Sequence, residues 1–211
     1  MAWLLEMDGS QFSYTKFDME PSCRELEPPI EYYQENNLLN LYGRLMWSAV
    51  DIDDRFWPRR ARIMTERKAL PHWVGFCSLW GVSEDFRDCI EELEPDVHEF
   101  REVEIFRKDG SAFDKRYYAI NVRQIVMDAI DWDRTTARSR EARGTRILMQ
   151  PKSELSGQVI AIRKATIAGL HFWIPRETFP GTCLGVSEVL HDMLAKRKLL
   201  KGIHSFQASE V

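Results

Sequence analysis

The tetrapeptide GVSE stands at residues 81–84 and again at residues 185–188. Each copy runs a valine into a serine and an acid, and apolar residues at helical spacing follow. After the first copy, Phe86, Cys89, Ile90 and Leu93 share one helical face, and Pro95 closes the run. After the second, Val189, Leu190, Met193 and Leu194 form the stripe. There Lys196, Arg197, Lys198 and Lys201 gather at the negative end, and Gly202 sits where a C′ glycine belongs. Serine is a preferred N-cap, and carboxylates suit the first helical turn. The repeat therefore predicts two helices capped by Ser83 and Ser187. Each leads into a segment bearing histidine and phenylalanine, Val97 to Phe100 and Ile203 to Phe206. A nucleophilic serine would need an elbow such as GxSxG, and neither copy has one.

Strand patterns surround these helices. Ala2 to Leu5, the segment ARIMT, Gln158 to Arg163 and Leu170 to Ile174 are short strand candidates. Val97 to Phe106 and Lys115 to Val126 form the clearest hairpin, turning at Asp109-Gly110. Pro71 to Leu79 is an aromatic connector. Residues 134–146, RTTARSREARGTR, hold five arginines and no large apolar side chain, and are expected to be an exposed loop. Near the start, Leu38, Leu41, Leu45 and Met46 place an amphipathic helix over Leu38–Val50. The expected architecture is α+β: a single compact domain of antiparallel strands and a few packed helices, residues 59–211. An acidic N-terminal segment, residues 1–58, precedes it, with a soft boundary at DIDDRFWPRR where Pro58 interrupts regular structure.

Charge separates the two parts. Residues 1–57 carry eleven acids and four bases, a net −7, on a chain whose total is −4. An acidic front argues against nucleic-acid binding and suits a basic protein partner. The start of the chain lacks the features of a secretory signal, and no apolar run is long enough to span a membrane. A cytoplasmic protein is expected. The four cysteines, Cys23, Cys77, Cys89 and Cys183, show no metal-ligand spacing and are expected to be reduced thiols.

Catalytic and cofactor motifs are missing. The five histidines match no HExxH or HxH spacing, and no glycine-rich phosphate loop occurs. Asp51, Asp53 and Asp54 resemble the opening of a calcium loop, but Phe56 and Arg62 stand where its glycine and glutamate should be. No catalytic residue, cofactor or metal is expected. The seven tryptophans are plentiful for a chain of 211 residues, and tryptophan, tyrosine and arginine dominate interface energetics. The candidate partner-binding residues are Tyr42, Asp51, Asp53, Asp54 and Trp57, with Arg138, Arg140 and Arg143 in the arginine-rich segment.

Five ordered pieces carry a family resemblance: ARIMT, GVSEDFRDCIEELEPDVHEF, KRYYAINVRQIVMDAID, GQVIAIRKATIAGLHFWIPRETF and GVSEVLHDMLAKRKLLKGIHSF. Over Arg60 to Phe206 the chain resembles immunity-protein family eleven of bacterial polymorphic-toxin systems. The resemblance implies a non-enzymatic protein that neutralises a cognate secreted toxin by stoichiometric binding, and such toxins are commonly nucleases. A basic toxin surface would meet the acidic front. An adaptor or chaperone that loads an effector for secretion is the alternative, and an uncharacterised hydrolase a distant third.

Overall fold

The computed structural model describes residues 1–7, 16–29, 31–32, 49, 51–66, 68–77, 79–142, 145–149, 158–178 and 183–211. The α+β class is borne out: short strands, mostly antiparallel, with two helices among the described residues longer than two turns. The expected helix over 38–50 lies outside the described residues except at Ala49. The chain divides into two compact units. The first is Asp8–Arg123, and the second joins Met1–Met7 to Gln124–Val211.

Chain order in the structure begins with β1 (Ala2–Met7), a strand of the second unit. The first unit then supplies β2 (Phe17–Glu20), β3 (Arg60–Ile63), β4 (Trp73–Phe76) and β5 (Leu79–Ser83). Helix α1 (Glu84–Leu93) leads to β6 (Glu99–Phe106) and β7 (Tyr117–Asn121). These strands form one sheet in the order β2-β3-β6-β7-β5-β4. Period-two alternation sets its buried face, since Val103 and Ile105 are buried while Glu102 and Glu104 are exposed. That face packs on Leu26, Ile52, Phe56, Trp57 and Leu70. Tyr117 belongs to the same core; its hydroxyl donates to Pro71 O (3.0 Å), and burial pushes the phenol well above its ordinary range. Helix α1 lies over β5 and β7.

The second unit continues with β8 (Ile125–Val126), β9 (Ser139–Ala142), β10 (Thr145–Leu148), β11 (Ala161–Ile162) and β12 (Phe172–Pro175). It closes with β13 (Cys183–Ser187), helix α2 (Glu188–Lys196) and β14 (Ile203–Glu210). Its sheet order is β11-β14-β1-β13-β12-β8. Strand β1 sits in the middle, antiparallel to both β13 and β14. Buried Glu177 accepts the amides of Ala129 (2.9 Å) and Ile130 (3.4 Å), while burial pushes its carboxyl up.

One plan occurs in both units. Strands β3-β6-β7-β5-β4 and β11-β14-β1-β13-β12 match in order, and each successive pair matches in direction. Ser83 pairs across its ladder with Tyr117 as Ser187 does with Ala2. Both glycines of the tetrapeptides accept a ring: a Cβ on Gly81 would run into Phe76, and one on Gly185 into Trp173. Val103 faces Tyr117 as Ala208 faces Ala2, so the register aligns His98 with Ile203 and Glu99 with His204. His98 and His204 therefore do not occupy equivalent strand positions, because the two helix-to-strand connections differ in length.

Four further expectations are corrected. Residues 73–76 of the aromatic connector form β4, paired in a hairpin with β5. The arginine-rich loop is part of a hairpin, β9 against β10, because Ile147 and Leu148 just beyond it supply a buried side. The left-handed residue one place past the cap Arg197 of α2 is Lys198 (φ 60°), and Gly202 (φ 80°) serves the turn into β14 instead. Cys23 and Cys77 are joined in a disulfide, Cα atoms 5.4 Å apart, because the β4–β5 turn carries Cys77 to the loop holding Cys23. Cys89 and Cys183 are buried free thiols, as expected.

Candidate protein-interaction surface

The repeated serines are the first chemical candidates, because each meets a histidine. Ser83 Oγ lies 2.8 Å from His72 Nδ1, and Ser187 Oγ lies 2.8 Å from His171 Nδ1. Each serine also performs the predicted cap, accepting the amide of Phe86 (3.3 Å) or Leu190 (3.2 Å). Each donates its own amide to the same histidine's carbonyl, at 2.9 and 3.0 Å. Burial, then the nearby Lys115, holds the His72 imidazole below its ordinary value. Ser83 is 1% exposed, so no substrate reaches its hydroxyl. A constellation present in both units, closed to solvent in one, is a joint between strand and helix.

Aromatic contacts repeat as well. Four residues past each cap, the Arg87 guanidinium lies 4.2 Å over Tyr118 and His191 stacks on Trp3 at 3.9 Å. Features that both units share belong to the architecture. Features confined to one unit are where recognition can be sought.

The first unit holds such a feature around the acidic run. Asp51 accepts from Arg123 Nη2 at 2.6 Å, and the same nitrogen donates to Glu99 at 3.0 Å. Arg101 binds Glu99 (3.1 Å) and Asp54 (3.2 Å), and its guanidinium lies over the Trp57 ring at 5.6 Å. Asp53 caps the short 3-10 turn Asp54–Phe56, accepting the Arg55 amide at 3.0 Å. Below the run, Trp57 is 3% exposed and its Nε1 donates to Ile52 O (3.2 Å). Asp51 is almost wholly exposed, and Asp53 and Asp54 are also open to solvent. Trp57 thus supports the acidic surface from beneath.

Beside this chain of charges lies an open cleft of about 570 Å³ at the carboxyl end of α1, sharing Glu99 and Arg123 with it. Its floor includes His98, which with Glu94 is nearly inaccessible to water. The Arg123 amide donates to His98 Nδ1 (3.2 Å), so the ring proton sits on Nε2 and is donated to Glu94 Oε2 at 2.9 Å. The pair locks the turn that joins α1 to β6. None of these residues recurs in the second unit, where Ile203, His204 and Phe206 take the strand positions of His98, Glu99 and Arg101.

The other sequence candidates lie elsewhere. Arg138 and Arg140 are exposed in and beside the β9–β10 hairpin. Neighbouring Arg146 stacks over Trp132 at 4.6 Å. Tyr42 and Arg143 fall outside the described residues. Trp73, Trp80 and Trp173 are fully buried and contribute to cores. Sequence reasoning missed His98, Glu99, Arg101 and Arg123, which only the β6–β7 pairing and the turn after α1 bring to Asp51. Among the described residues no three His, Cys, Asp or Glu side chains converge on a metal position. No helix there is long and apolar enough to cross a membrane.

The model of the Immunity protein family (Imm11) matches residues 13–209. That span takes in both units and most of the acidic front, beyond the Arg60 to Phe206 range of the five sequence pieces. Among curated proteins nothing matches.

Proposed function

Because the chain belongs to the Immunity protein family (Imm11), we propose that it binds a cognate secreted toxin in the cytoplasm and blocks it stoichiometrically. The toxin in this reading is a nuclease with a basic surface. The observation that carries the proposal is the family match across residues 13–209. Charge supports its finer part. Residues 1–57 carry a net −7, and nucleases that grip a phosphate backbone offer the opposite sign. The surface around Asp51, Asp53 and Asp54 supplies part of the contact, with Tyr42 and the arginines Arg138, Arg140 and Arg143 as further contact candidates. Alternating charges of the kind joined by Arg101 and Arg123 favour specificity and fast encounter more than raw affinity.

The decisive experiment purifies the chain with the product of its neighbouring gene. A one-to-one complex, together with rescue of cells expressing that product, is expected. Absence of a complex between the two purified proteins overturns the proposal.

A further inference from the structure

We infer that the Cys23–Cys77 disulfide is a redox clasp: oxidised, it joins the two edges of the first unit's sheet, and a dithiol reductant releases them. The inference takes only the cytoplasmic compartment from the reading above, and toxin binding does not enter it.

The course of the sheet shows what the bond holds. Strands β2 and β4 are its outermost members, and in a flat sheet of six they would lie about 24 Å apart. Yet the rings of Phe17 on β2 and Phe76 on β4 have centroids 5.3 Å apart, so the sheet curls until its edges meet. The disulfide ties the same two edges, because Cys23 lies just past the end of β2 and Cys77 directly follows β4. The second unit closes its sheet by other means. Its outermost strands are β8 and β11. Shortly after Val126 ends β8, Ile130 bridges to Ile162 on β11. There the peptide backbone itself makes the closure, and no change of redox state can undo it. The first unit gives the same task to a bond that two electrons break.

Two further observations mark that bond as reversible. Cys23 is exposed and Cys77 half-buried, whereas the thiols of Cys89 and Cys183 are buried. A reductant therefore reaches Cys23 Sγ on the folded chain. Cys77 also occupies a position that the backbone does not favour for cysteine. Phe76 faces Leu79 across the β4–β5 pair, which leaves a two-residue connection, and Cys77 is left-handed there at φ 55°. Asn, Asp and Gly are the usual residues of such turns; what cysteine adds is its sulfur. Disulfides in a reducing cytoplasm are mostly transient, catalytic or redox-sensing, and exposed ones are the more readily reduced.

The reductant is a dithiol of the thioredoxin class. One of its thiolates attacks Cys23 Sγ and forms a mixed disulfide as the Cys23–Cys77 bond breaks. Cys77 leaves as a thiolate and takes up a proton. The second thiolate of the reductant then displaces Cys23, so two electrons pass to the protein and the reductant ends as a disulfide. Release reaches the acidic surface through the core. Cys77 packs against the cluster that contains Leu26, Ile52, Phe56 and Trp57, and the last three stand within or directly after the run Asp51, Asp53 and Asp54.

The test compares the full chain oxidised and reduced. Under native conditions, dithiothreitol should open Cys23 and Cys77 to alkylation by N-ethylmaleimide while Cys89 and Cys183 stay closed, and oxidised glutathione should restore the bond. Hydrogen exchange at the amides of Phe56 and Trp57, which donate to Asp53 O and Asp54 O, should quicken about ten-fold or more on reduction. In Cys23→Ser, exchange at these amides should match the reduced wild type with and without dithiothreitol. A bond that dithiothreitol breaks only after denaturant has unfolded the chain overturns the inference. So does exchange that reduction leaves unchanged, or a Cys23→Ser chain whose exchange still responds to dithiothreitol. Failure of the neighbouring gene's product to bind would sink the functional proposal and leave these measurements to decide the clasp.

Discussion

Gly81 and Gly185 meet the same steric demand in different surroundings. Each sits in a strand where an aromatic ring occupies the space a side chain would need, Phe76 in one case and Trp173 in the other. Gly81→Ala and Gly185→Ala should each lower stability by about 1–3 kcal/mol, the range for overpacked cores, measurable by urea unfolding. His72 makes a pH prediction. Its imidazole is held below the ordinary value chiefly by burial. Above about pH 6.5 both folded and unfolded chains keep this ring neutral, so it contributes nothing to pH dependence. Below that, the unfolded chain takes up a proton that the folded one resists, and stability falls. Urea midpoints of the wild type should drop between about pH 6.5 and 5, and His72→Asn should flatten that drop. Of the residues governing these effects only the two glycines stood out in sequence, as part of a repeat; the ring against each glycine depends on pairing across a hairpin that local patterns did not reveal.

The helices show how far local rules reach. The apolar spacing, the acid in the first turn and the serine before it placed the starts of α1 and α2 where they lie, and Pro95 the end of α1 within a residue or two, whereas α2 stops at Lys196, short of the expected glycine stop at Gly202. Both caps have the same backbone angles, φ −67° and ψ 160°. Ser83→Ala and Ser187→Ala should each lower stability by about 0.5–2 kcal/mol, seen as a lower Tm. Protection against the toxin should persist wherever the fold does; a folded serine variant that fails to bind would make the hydroxyls more than caps. The arginine-rich segment was harder to read. Its strand pairing depends on Ile147 and Leu148, which lie beyond the charged run and provide the apolar side that the run itself lacks. Val189 departs from the expected stripe, being 53% exposed at the start of α2. The candidate site was legible only at its acidic edge. Asp51, Asp53 and Asp54 stand together in the chain, whereas Glu99, Arg101 and Arg123 join them only through sheet register and tertiary packing.

On the scale of the whole molecule, the field of the acidic front matters more than any one ion pair, since exposed pairs contribute little to stability. Changing Asp51, Asp53 and Asp54 together to asparagine should leave Tm within a few degrees of the wild type. Association with a basic toxin should slow about ten-fold at low salt and lose much of its salt dependence. Stopped-flow rates at several ionic strengths make the check, and an unchanged on-rate at low salt would move the contact away from this run.

The position of β1 also bears on how the protein is made. Its neighbours in the second unit include β14, with Ala2 opposite Ala208. On the ribosome the opening segment therefore emerges long before its partners exist, and at about 5–20 residues per second it waits on the order of ten seconds or more. The first unit needs nothing translated after Arg123 for its own sheet and is able to close earlier. A cell relying on newly made copies for defence would thus gain the acidic surface and its cleft while synthesis of the remainder is still under way.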